Sequence, residues 1–266
     1  MRQALRGLGE SVQRLLGRLI SQRRRSAKLS SPPFPASWRD VLVTSCAHYR
    51  RLPPEFRRRF EEQVRSFVAD RRITGVKVEV TDELRVLAAA SAVTISVGWP
   101  DYDWSEAREV LLYPESFGRD FAHSPEADHA GVADPWGIVI LSVPALRGSF
   151  ERPDDGYHVG IHEFAHLLDV EATRFDGIPS WLSDRGIREW EQLRDEEMKR
   201  LQSGDSVLDE YGAFDRVEFL AVAMESFFER PVALREKHRE LYEMLRSYLR
   251  QDPAAWQDAQ STSESA

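Results

Sequence analysis

At 266 residues and 42% hydrophobic content, the chain can bury one sizeable core, or one core with a small appended lobe. Its single cysteine, Cys46, excludes an internal disulfide and a sulfur-rich structural zinc site, and it fits a reducing compartment, so the cytoplasm is the expected location. The net charge of −8 is unevenly spread: residues 1–28 carry eight bases against one acid, leaving −15 for the remainder, and so acidic a body argues against nucleic acid as a partner.

In chain order, Leu5, Leu8, Val12, Leu15, Leu16 and Leu19 recur at helical spacing among Arg2, Arg6, Arg14 and Arg18, and a basic run from Arg23 to Arg25 follows. This predicts a basic amphipathic helix over residues 1–28. Arginines interrupt its apolar face and no small-residue cleavage site follows, which argues against a secretory signal. The segment reads either as a frayed, solvated arm or as a docking helix allowing peripheral membrane contact. No stretch reaches the roughly 18 to 20 uninterrupted apolar residues of a membrane-spanning helix. Residues 29–37, with three prolines, are the expected linker.

Phe56, Phe60, Val64, Phe67 and Val68 predict a helix over residues 53–71, started by Pro53 and Pro54. Short β-rich runs at 76–80, 93–97, 110–113 and 138–143 predict four strands, with a helix at 84–92 between the first two. Residues 114–136 show no period and read as a long loop. From residue 156 the pattern is helical almost to 250, and the polar tail, 253–266, is expected to be disordered.

Residues 157–169 read Tyr-His-Val-Gly-Ile-His-Glu-Phe-Ala-His-Leu-Leu-Asp and contain His-Glu-x-x-His. Positions four apart lie one above the other on a helix, so His162 and His166 can aim their imidazoles at one ion. Glu163 then sits beside the ion without binding it, placed to take a proton from a water whose pKa zinc lowers toward ~7. The bare pattern arises by chance on the order of a few per cent of the time in a chain this rich in glutamate. Its apolar setting decides for the metal, because two histidines and a glutamate are costly to bury without a ligand.

A third ligand has to come from elsewhere. The Gly and His that a metzincin places three and six residues after the second histidine are here Asp169 and Ala172, which excludes that class. A later helix, predicted from about residue 215, carries Glu218, Val222 and Glu225 on one face among apolar neighbours. On the residues alone, Glu218 is either a ligand or the third-position partner of Asp215 in a local capping box. Glu225 is an alternative ligand, or an acceptor for a histidine N–H.

These segments together resemble the Mlc titration factor A family of bacterial zinc peptidases and, more distantly, the catalytic core of anthrax lethal factor. The resemblance spans residues 38–252 and is carried by Val-Thr-Asp-Glu-Leu-Arg-Val at 80–86, Leu-Leu-Tyr-Pro at 111–114, Gly-Ile-Val-Ile-Leu-Ser at 137–142, the 159–169 motif, Asp-Gly-Ile-Pro at 176–179, and Tyr211 seven residues before Glu218. It implies that Glu218 is the third zinc ligand, that Tyr211 assists the transition state, and that action on small peptides is aminopeptidase-like. It also implies a transcriptional repressor as a possible partner. The chain departs from the family in a shorter loop between Phe117 and Trp136 and in His158, where the family carries asparagine. His158 is either a spare ligand or a polar residue at the helix start.

The expected fold is α+β and zincin-like: a small mixed sheet, an active-site helix over 157–169, and a second helix supplying a glutamate. The expected domain spans 38–252, and the expected function is a peptidase with one zinc per chain acting on a peptide or protein substrate. The strand at 138–143 is expected at the sheet edge, beside the metal. The alternative is a regulatory protein that sequesters a repressor with little or no peptidase activity.

Overall fold

The computed structural model describes residues 33–116, 130–134, 136–169, 176–180 and 182–264. The chain divides into two units, Met1–Pro35 and Ala36–Ala266. In the first, only residues 33–35 are described, without helix or strand, so the predicted basic helix lies outside the described residues. The second begins with α1 (Ala36–Ser45) and α2 (Ala47–Arg51). Helix thus starts two residues inside the expected linker, directly after Pro35, the last residue there that lacks an N–H. Pro54 then opens α3 (Pro54–Asp70), whose buried stripe of Phe60, Val64 and Phe67 follows the predicted period.

Four strands form one mixed sheet, and two of them fall where the sequence did not put them. Strand β1 is Arg72–Gly75, not 76–80. Lys77 sits at φ 58, which bends the chain out of the sheet before the valine run can extend it. The expected strand at 93–97 is instead the end of α4 (Asp82–Ser96), capped by Thr81 Oγ1, which accepts from Leu84 N–H at 3.3 Å. From Val86 to Ser96 every residue of α4 is buried, and packing on all sides overrides the β preference of Val93, Thr94 and Ile95. Strands β2 (Glu109–Tyr113), β3 (Gly131–Ala133) and β4 (Ile138–Ser142) complete the sheet.

The order is β1-β2-β4-β3, with β1, β2 and β4 parallel and β3 antiparallel to β4. Strand β4 is therefore internal, and the edge expected of it belongs to β3, a three-residue strand within the segment read as loop. Ser142 ends β4 by capping α5 (Val143–Glu151), its hydroxyl accepting from Ala145 N–H.

The helical remainder is interrupted more often than the sequence suggested: α6 (Val159–Leu167), α7 (Asp184–Gln202), a 3₁₀ turn (Glu210–Ala213), α8 (Arg216–Glu229), α9 (Pro231–Lys237) and α10 (Arg239–Leu249). Helix α6 packs against α4, α8 and β3. The tail expected to be disordered forms α11 (Pro253–Glu264). Asp252 Oδ1 accepts from Ala255 N–H and from the Tyr242 hydroxyl, and Trp256 packs on Phe56 at 5.0 Å between ring centroids. These few anchors order an otherwise polar segment. No helix among the described residues is long and apolar enough to cross a membrane.

His48 is buried near the start of α2, edge-on to Phe228 at 5.2 Å, and burial, with the nearby Arg51 charge, holds its pKa down to about 3. Between pH 6.5 and 3 the unfolded chain therefore binds a proton that the folded chain refuses, and stability falls as pH falls through that window. From pH 7 to pH 5 this one group should remove about 2 kcal/mol. In urea denaturation at the two pH values, His48→Gln should lose about that much less than the natural sequence, and equal losses would show that His48 does not titrate this way.

Candidate metal centre

Helix α6 starts at His158, whose backbone is extended (φ −148) and whose Nδ1 accepts from Ile161 N–H at 3.2 Å. This is the capping role, not the spare-ligand role, and it places His162 and His166 on successive turns of a fully buried helix. Their rings lie 4.9 Å apart, nearly perpendicular.

Helix α8 brings the acids. Asp215 caps it, one carboxylate oxygen accepting from Val217 N–H at 2.8 Å and Glu218 N–H at 2.9 Å. Glu218 occupies the third helical position, as a capping box would have it, but its carboxylate reaches across to α6: Oε2 stands 3.0 Å from His162 Nε2 and 3.7 Å from His166 Nε2. The cap and the candidate ligand are thus different residues on one turn. Two turns further along, Glu225 accepts from His158 N–H at 2.7 Å and lies 3.2 Å from His162 Nδ1, the acceptor role among the two open to it.

Donor atoms of His162, His166 and Glu218 all fall within 4.8 Å of one another. Ligands about 2.0–2.1 Å from a tetrahedral ion stand roughly 3.3 Å apart, so the observed spacings fit a small divalent cation. Electrostatics point the same way. Burial opposes a charge on His162, yet hydrogen bonds to Glu218 and Glu225 outweigh it and raise its pKa well above the usual value. A proton held between two carboxylates stands where a cation would. His166, pushed down to about 4 by burial and by the His162 charge, keeps a neutral ring with a lone pair to offer.

Glu163 is 5% exposed, and burial, with Glu218 and Glu225 adding to it and His162 opposing, lifts its carboxyl to about 7. It lies against the edge strand, its carboxylate near the Ala133 amide. Gly131 allows that approach, since a Cβ there would meet Glu163 Oε1 at 2.5 Å. The sequence reading missed Gly131, which carries no periodic or motif signal. The ring of Tyr211, half exposed in the 3₁₀ turn, lies 6.0 Å from that of His162 and stacks on Phe214. All five residues singled out in the sequence are brought to one place.

The chain matches the family described as glucose-regulated metallo-peptidase M90 over residues 20–250. It is similar to protein slr2042 of Synechocystis sp., at 30% identity across 86% of this chain and 89% of that protein. Mlc titration factor A of Edwardsiella ictaluri is 31% identical over 64% of this chain and 69% of its own length. The Mlc titration factor A of Escherichia fergusonii is 27% identical over 81% and 86% respectively.

Because the cap and the candidate ligand are separate, they should come apart in variants. Asp215→Ala should lower stability by about 1 kcal/mol in urea denaturation and leave the bound-metal stoichiometry as it is. Loss of the metal with the cap would show that Glu218 depends on Asp215 for its aim.

Proposed function

The chain belongs to the glucose-regulated metallo-peptidase M90 family, and from that premise we propose that it is a zinc-dependent peptidase of zincin type, aminopeptidase-like, working in the cytoplasm. The observation that carries this reading is the convergence of His162, His166 and Glu218 with a buried glutamate, Glu163, beside them and outside the donor set.

His162, His166 and Glu218 would hold one zinc ion, three protein ligands that leave a position open. The ion supplies a polarised water and a positive charge where the carbonyl oxygen becomes negative. Glu163 accepts the proton of the attacking water and returns it to the leaving amine. Tyr211 would donate its hydroxyl to the developing oxyanion, the role the family resemblance gives it. Glu225 fixes His162 by accepting from Nδ1, which leaves Nε2 for the ion.

Strand β3 offers the substrate a place. Ala130 O and Asp134 N–H bond to β4, so the alternating backbone groups of Gly131 and Ala133 face the outer edge, on the side of Glu163. An extended peptide added to that edge would bring a carbonyl alongside the base. A second reading, in which the protein binds a transcriptional repressor, is favoured by relatives named Mlc titration factor A. It does not require Glu163 to accept a proton.

Purified protein should carry about one zinc per chain, with His162→Ala, His166→Ala and Glu218→Ala each losing most of it after dialysis against a weak chelator. Zinc retained in Glu218→Ala would remove that residue from the set. Glu163→Gln should keep zinc while peptide turnover falls by ~10² to 10⁴. Undiminished cleavage by this variant would exclude Glu163 as the base, and a natural sequence that holds zinc but cleaves no peptide library would favour the repressor-binding reading.

A further inference from the structure

The metal ligands come from two helices separated by some fifty residues of chain, and something has to set the distance between them. His166 stands in the last turn of α6, and Asp169 follows three residues later, fully buried. Its Oδ2 accepts from Gly177 N–H at 2.8 Å. A second bond ties the same two segments, Ser180 N–H to Leu168 O at 2.9 Å.

Gly177 in turn lies on the first turn of α8. A Cβ at this position would meet Arg216 O at 1.9 Å and Arg216 C at 2.5 Å, and its φ of +71 is one that side chains rarely adopt. Trp190 of α7 holds the glycine from the other side, donating Nε1–H to Gly177 O at 2.7 Å. The peptide pressed by Gly177 is two residues before Glu218. A grip that begins three residues after one candidate ligand therefore ends two residues before another.

We infer that Asp169 is a positioning residue of the metal centre: through Gly177 it fixes the first turn of α8, and hence Glu218, relative to the two histidines of α6. This rests on the reading of His162, His166 and Glu218 as ligands. A carboxyl group with no exposure is an expensive way to fill space, and an apolar side chain would pack there at less cost. Only an acceptor at this point can take the Gly177 amide. Asparagine retains one such acceptor oxygen, and alanine none.

The test is a zinc competition titration on the full chain, with amide hydrogen exchange of the metal-free protein read at residues 217–219. Asp169→Ala should weaken zinc by ~10- to 100-fold, the range for groups that orient ligands, and speed exchange in that turn. Asp169→Asn should stay within a few-fold of the natural sequence in both. Gly177→Ala, which pushes on α8 directly, should reproduce the Asp169→Ala defect, and it stands in if the latter fails to fold. Leu245→Ala, a buried change in α10, controls for lost stability and should leave zinc affinity alone. Natural affinity in Asp169→Ala, or an equal loss in Leu245→Ala, would overturn the inference. If the natural sequence binds no zinc, the ligand reading fails by itself, and unchanged exchange in Asp169→Ala then overturns the clamp separately.

Discussion

Glu225 is 1% exposed in an apolar helix, and a carboxylate taken that far from water is tolerable only where donors meet it. Burial pushes its pKa up, and the His158 amide and the His162 ring are what hold the charge in place. Both partners belong to the start of α6. The demand of one buried acid on α8 thus fixes where α6 begins, which way the His162 ring turns, and which ring nitrogen faces Glu218. Without that contact His162 would be free to present either nitrogen, and the donor set would lose its geometry.

The rest of the body serves as backing for this pair of helices. Helix α4, buried over most of its length, packs against α6, while Phe164 is fixed edge-on between Phe67 and Trp104, at 5.6 and 5.2 Å. On another side β3 presses on Glu163. A three-residue strand is marginal by itself, but its pairing with β4 is enough to hold Gly131 against the carboxylate. The short edge strand leaves its outer backbone groups off the ladder, which an internal strand would not.

How much of this was legible in the sequence follows from the range of each interaction. His162, Glu163 and His166 lie within one helical turn of one another, so spacing alone reveals them. Glu218 acts across the gap between two helices, and spacing left it tied with a capping role. The resemblance favoured it as a ligand, and in the structure its carboxylate reaches His162 and His166. Glu225 was left with two roles for the same reason. The strand expected at 93–97 became helix because burial on every side of α4 leaves no polar face to set a period. The tail at 253–264 was misread because its order comes from a few distant anchors, Tyr242 and Phe56 among them, which composition does not register. Gly131, Asp169 and Gly177 act by contacts with remote backbone or side chains, and nothing local marks them.

The charge inventory of the centre explains why these distant contacts converge. Glu163, Glu218 and Glu225 place three carboxyl groups around two imidazoles in a largely buried site, and like charges so close cannot all ionise without a cation among them. In the metal-free chain the relief is partial and comes in two forms: His162 holds a proton between Glu218 and Glu225, and Glu163 is driven toward its neutral form. A divalent ion on His162, His166 and Glu218 would relieve both at once, freeing the proton on Nε2 and lowering the cost of charge on Glu163. The arrangement is thus strained without a metal in the same groups that would become useful with one. A purely structural pocket would gain nothing from keeping Glu163 in that position.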